Sequence, residues 1–386
     1  MKTRSCIIAL MTAASVALSP VPAAFGDAAS LKTTLEASGS QNITTLDVNL
    51  NPGLLGYYYG DVTMRSEINT VVAQIRDLRG RAWDENPTIN FFSLKDYSRH
   101  IMRLQDAARF EGLNTRSAYQ NAIDWDPALE HIALQRAVEA NYKFEHVRPD
   151  GTDCWTVDQD KFSAENLAHN AMTEAIAGFE KEWPNLRSRT GEFGHLQNML
   201  DPANRAFSQA QAGESTAQLL ARKDSPAQPA PINDGRHAIP VTFPESALAQ
   251  ARLSSRGGTS VGDTGQFQAV LNDNSGVIAL PGSYGTSNPT VLNVESNGSY
   301  EALAPGKAQV RFAGLTLNNE KLGTPAQSLA KDVLVKKVSA LVQNPSTDGQ
   351  SSSTGSQVGM IVGIIAAILA LFGVGAQVLR QVGIIG

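Results

Sequence analysis

Cysteine is scarce: Cys6 and Cys154 are the only two among 386 residues. Cys6 falls in a stretch expected to be removed, so one thiol remains and no internal disulfide can form. Export to an oxidising compartment would not help this chain; burial alone must hold it, and it is long enough for that. Basic excess is also missing, with 32 Lys and Arg facing 37 Asp and Glu. No Lys/Arg stripe with interleaved aromatics occurs, which excludes unspecific nucleic-acid binding through displaced counterions. No internal repeat is evident, so a solenoid is excluded. No LPxTG sorting motif occurs, so covalent cell-wall attachment is not indicated. Hydrophobic residues at 42% and charged residues at 18% argue against wholesale disorder.

Both ends carry targeting patterns. Lys2 and Arg4 precede the apolar run Cys6 to Leu18, and Ala24-Phe25-Gly26 offers small residues for a peptidase. Residues 1–26 therefore read as a secretory signal peptide. Without Lys2 and Arg4, 30 of the 32 basic residues remain against 37 acidic ones, a net charge of −7. At the other end, Val358 to Val378 is uncharged and long enough to cross about 30 Å of hydrocarbon. Residues 358–379 read as a transmembrane helix, and Arg380 places 380–386 in the cytosol as a tail. The expected localisation is the cell membrane, single-pass, with the N-terminal domains extracellular.

Composition divides the rest. Residues 27–65 form an N-terminal segment, 66–222 a large domain, and 223–248 a linker with Pro226, Pro229, Pro231 and Pro240. Residues 249–320 form a small domain, and 321–357 a connector and Ser/Gly-rich tether. The large domain is helix-rich. Ile68, Val71, Val72, Ile75 and Leu78 recur at helical spacing across Arg65 to Arg81. Asp126-Pro127 caps a second helix, and Met172, Ala175, Ile176 and Phe179 stripe a third. In the small domain, Gln266 to Leu271, Val291 to Val294 and Ala308 to Phe312 read as short strands between Gly and Asn turns, fitting a β-sandwich.

Four motifs carry the candidate chemistry: Phe144-x-His146-x-Arg148-Pro149-Asp150-Gly151, Glu165-Asn166-Leu167-Ala168, Phe179-x-x-Glu182 and Gly194-His195-x-x-Asn198-Met199-Leu200. In this order they resemble the bacterial members of the CAP superfamily (cysteine-rich secretory, antigen 5, pathogenesis-related). The match runs from about Trp125 to Leu200. Ala164 departs from the glycine usual before the Glu-Asn pair, and the paired cysteines of eukaryotic members are missing. The stretch Thr286 to Val294, then Asn297-Gly298, then Ala304 to Val310, resembles bacterial Ig-like domains of group 2. Together the resemblances imply an α+β chain: an α-β-α sandwich, a small all-β Ig-like sandwich and a C-terminal transmembrane helix. They also imply that His146, Glu165, Glu182 and His195 line one open cleft.

Two carboxylates brought close need a proton or a positive group between them. Two imidazoles could supply that charge, and so could a divalent cation such as zinc, held by these same four side chains. The plainer reading is a hydrogen-bonded network that only fixes the helices. Cys154 is a candidate nucleophile because His146 is close in sequence, or else a small buried apolar group. His100, His131, His169 and His237 lack partners at ligand spacing.

Three functions remain open: a surface ligand- or cation-binding module on an Ig-like stalk, a metal-assisted hydrolase acting on peptide or envelope substrates with a Glu as base, and a structural envelope spacer. The expected partners are an extracellular or envelope ligand and, through the C-terminal helix, the membrane; nucleic acid is not expected. No set of nucleophile, base and orienting group is visible, and the Ig-like neighbour suits presentation, so binding is favoured. A fold alone does not choose among functions.

Overall fold

The computed structural model describes residues 44, 46–93, 95–158, 161–222, 229–271, 277–318 and 321–337. The first part runs β1 (Gly53–Thr63), α1 (Ile68–Glu85), the hairpin β2 (Thr88–Ser93) and β3 (Ser98–Arg103), α2 (Leu104–Phe110), α3 (Arg116–Gln120), β4 (Asp124–Trp125), α4 (Glu130–Tyr142), β5 (Ala164–Ala168), α5 (Met172–Glu180), α6 (Trp183–Ser188) and α7 (Gly194–Leu200). It closes with β6 (Ala206–Ala212) and β7 (Ser215–Ala221). From there strands dominate: β8 (Gly235–Phe243), β9 (Arg252–Gly257), β10 (Thr264–Leu271), β11 (Val277–Ala279), β12 (Gly282–Thr286), β13 (Leu292–Val294), β14 (Ser299–Ala302), β15 (Gly306–Gly314), β16 (Thr316–Asn318), β17 (Lys321–Gly323) and β18 (Leu329–Val335).

The expected fold class is overturned. Strand outweighs helix, 38% against 30%. In place of an α-β-α sandwich, one 13-stranded sheet runs β13-β14-β10-β11-β1-β6-β7-β5 through both halves, and β12, β15 and β18 form a separate three-stranded sheet in the second. The seam is β1. Along one edge Leu54 to Val62 pair with β8. Along the other, β1 pairs successively with β16, β11 and β6. The apolar run Gly53 to Tyr59 is the physical reason: a strand flanked on both edges and buried on both faces has no polar alternation to display. Leu54, Tyr57, Tyr58 and Val62 are all buried. At Gly56 a Cβ would come within 2.8 Å of both Ile278 and Phe243, so only glycine fits between those side chains. The stretch expected as a Pro-rich linker supplies β8. Pro240 is tolerated there because β1 is the one strand that pairs with β8 among the described residues, and proline suits an edge strand that needs few donors.

The site lies at the other end of this sheet. Alternation along β6 and β7 sends Ala206, Ala210, Ala217 and Leu219 into one core cluster, shared with Ala133, Ala137 and Ala140 of α4. It sends Phe207 and Leu220 into another, shared with α1, α5 and α7. Small residues on α4 and its strands let helix and sheet approach closely.

The expected single-pass localisation in the cell membrane is also corrected. Among the described residues no helix is long and apolar enough to cross a membrane. Residues 358–379, which carried that expectation, lie outside the described residues, as do 1–26, 338–357 and 380–386.

Candidate functional site

Glu165 and Asn166 are neighbours on β5, so their side chains leave opposite faces of the strand. Each reaches one of the two sequence-predicted histidines. On the α4 face, His146 Nδ1 lies 2.7 Å from Glu165 Oε1. On the other face, Asn166 Nδ2 donates to the backbone oxygen of His195 at 3.1 Å. His195 Nδ1 in turn lies 2.6 Å from Glu182 Oε1. The four predicted residues thus form two His–Glu pairs flanking one edge strand. A carboxylate only accepts, so each Nδ1 carries the proton and each neutral ring keeps its lone pair on Nε2. Neither Nε2 has a partner among the described residues. The His146 side chain is 56% exposed and that of His195 31%, against 1% for Glu165.

Glu165 belongs to a buried chain of alternating charge. Arg136 Nε donates to Glu165 Oε2 at 2.6 Å and Nη1 to Glu139 Oε2 at 2.5 Å. Arg148 Nη2 donates to Glu139 Oε1 at 2.8 Å and also to the Asn49 carbonyl. The order Arg148, Glu139, Arg136, Glu165 is neutral as a whole, which permits burial that no single member would survive. Burial pushes the Glu165 carboxyl up. The hydrogen bond with His146 and the Arg136 charge outweigh it, holding the group below the usual carboxylate range. Burial alone would lower Arg136, but Glu139 and Glu165 hold it above its ordinary value.

His146 faces Glu165, Arg136 and Asp153; the hydrogen bond to Glu165 raises its pKa despite partial burial. The raised imidazole stabilises the fold below about pH 6.5, its unfolded value, and that contribution fades as pH climbs through the folded value. The depressed Glu165 contributes above about pH 4.3 and loses its contribution as pH falls through its folded value. Both contributions are complete only between those limits. Thermal melts of His146→Ala should therefore show a smaller advantage of mildly acidic over neutral pH than the parent chain shows. Equal pH profiles in the two proteins would rule this pair out.

The second pair is built at a helix break. Glu182 sits between α5 and α6, and its Oε2 accepts the Leu196 amide at 2.9 Å in the first turn of α7. Phe179 stacks on the His195 ring at 4.8 Å and 20°. One turn on, Asn198 Nδ2 donates to Asn166 Oδ1 at 2.8 Å, and Asn166 donates to Gln218 Oε1 at 2.8 Å. Asn198 meets β5 through its side chain and His195 through its backbone oxygen, so one turn of α7 lies against the strand.

A resident zinc ion does not fit these residues. Both carboxylates are spent on imidazole Nδ1 atoms, and among the described residues no group of three His, Cys, Asp or Glu is placed to hold a metal. Cys154 is no nucleophile: it is buried, burial drives its thiol pKa up, and only its backbone amide meets His146. His131 is a structural residue. Its Nδ1 accepts the Asp47 amide at 2.9 Å, which leaves Nε2–H to donate to Ala230 O at 2.8 Å. His100 pairs with Asp96, and His237 meets Thr44 and Asn233. His169 stacks on Phe144 at 3.5 Å. A depression of about 370 Å³ near Ser287, Lys307 and Leu334 contains none of the four site residues.

Sequence reasoning missed Arg136 and Glu139, and gave no role to Asn166 and Asn198, which stand in two of its motifs. The available signal was Arg136 and Glu139 standing three apart within the alanine-rich run of α4, where charge must be paired if buried. Comparison with protein-family models, curated proteins and solved structures found no match to this chain.

Proposed function

We propose that the chain is a binding module whose ligand is met by the Nε2 atoms of His146 and His195 at the edge of β5, the role that the resemblance to the CAP superfamily implies for these positions. One observation carries this reading. Each imidazole is oriented by a buried or half-buried carboxylate on Nδ1, and each presents an unpartnered Nε2. A network that served stability alone would gain by pairing both nitrogens of each ring, as His131 does. A hydrolase reading gains nothing comparable, because the thiol is buried and, among the described residues, no three His, Cys, Asp or Glu are placed to hold a cation.

The test is a fragment library screened by ligand-observed NMR against the full chain and its His146→Ala/His195→Ala variant. The expected result is a set of mutually competing fragments whose affinity falls about tenfold or more in the variant. Its unfolding free energy should change by no more than about 1 kcal/mol, since both rings are partly exposed. Fragments that bind both proteins alike would refute the assignment.

A further inference from the structure

We propose that the free edge of β5 receives an extended peptide, which adds to the sheet as a further strand and lies between two aromatic platforms, Trp155 and Phe144. This deepens the reading above by naming the ligand class, and rests on it for the place of the site.

The first observation is the backbone. Among the described residues β5 pairs with β7 alone, from Ala164↔Leu220 to Ala168↔Thr216, and ends the strand order of the sheet. Every second residue of such a strand turns its N–H and C=O away from the partner. Among the described residues nothing bonds these outward groups. Glu165 as a whole is 6% exposed while its side chain is 1% exposed, so the part that reaches solvent is main chain. An unpaired edge of this kind recruits peptides through their backbones, and neighbouring side chains add selectivity.

The second observation is independent. Trp155 and Phe144 are 40% and 38% exposed. Each is backed by another ring: Trp155 stacks on Phe162 at 4.5 Å and 25°, Phe144 on His169 at 3.5 Å and 22°. Phe162 stands just before β5 and His169 just after it. The span from 162 to 169 is at most about 23–25 Å when extended, so the platforms mark the two ends of the strand. A peptide of about six or seven residues covers that length. Along this stretch β5 meets His146 through Glu165 and the backbone oxygen of His195 through Asn166. An oligosaccharide could use the rings but has no strand edge to offer β5, so the unpaired backbone favours the peptide.

The experiment pans a phage-displayed library of random heptapeptides against the full chain, then titrates the enriched sequence as a synthetic peptide. Trp155→Ala and Phe144→Ala, each checked for an unchanged circular dichroism spectrum, should weaken binding about tenfold. N-methylation of one peptide amide at a time should cost about tenfold or more at alternate positions, where a backbone bond is lost, and little at those between. No enrichment, sensitivity without alternation, or ring-dependent binding of hexa-N-acetylchitohexaose in place of peptide would each overturn the inference. If alternation persists and His146→Ala/His195→Ala binds normally, the edge stands and the imidazole reading falls. If the histidine variant weakens binding without alternation, only the edge falls.

Discussion

Arg136→Met should lower the unfolding free energy by about 3–5 kcal/mol, the loss typical of removing one partner from a buried ion pair. The guanidinium touches Glu139, Glu165 and the Glu145 carbonyl, and its side chain is wholly buried. Without it two carboxylates face each other with only Arg148 and a half-exposed His146 to balance them. The penalty belongs to uncompensated charge rather than to lost volume, so a second substitution separates the causes. Arg136→Met/Glu165→Gln leaves Arg148 and Glu139 as a neutral pair and should recover most of the loss. Urea unfolding of the three proteins measures this. A loss below about 1 kcal/mol in the single variant, or no recovery in the double, would contradict a charge chain held in balance.

The helices were legible in the sequence because their apolar residues recur with a helical period, and the turn that opens α4 carries a cap. Asp126 accepts the Ala128 amide at 2.9 Å, as an Asp-Pro start predicts. The strands Thr264–Leu271 and Gly306–Gly314 were legible too, for they alternate. What failed was every inference that needed long-range pairing. Residues 27–65 read as an N-terminal segment, since the doubly flanked strand Gly53–Thr63 shows no period of two. Pro240 reads as a linker residue because the cost of proline in a sheet depends on which edge it faces, and that is decided by a partner about 180 residues away. At the site, motif order identified both histidines and both glutamates, while the face each one uses depends on the alternation of β5. Arg136 stayed hidden and Asn166 stayed without a role because their partners lie 29 and 32 residues away along the chain.

Removal of residues 44–63 should leave neither half of the chain folded, and residues 249–337 alone should not fold. β1 supplies the partner of Val277–Ala279 through Tyr57 to Tyr59, of Thr316 and Leu317 through Gly53 and Leu54, and of the end of β6 through Val62 and Thr63. Leu54, Tyr57, Tyr58 and Val62 are each at most 2% exposed. At about 1.5–3 kcal/mol per buried apolar side chain, they amount to on the order of 6–12 kcal/mol, comparable with the whole stability of a domain. Deleting the strand also strips β8 of the one strand paired with it among the described residues and opens two sheet edges, which invites association between copies. Calorimetry of the full chain should accordingly show the described residues melting in one cooperative transition. A dispersed NMR spectrum from residues 249–337 alone, or two melting transitions assignable to residues before and after 229, would mean that the sheet does not couple the halves.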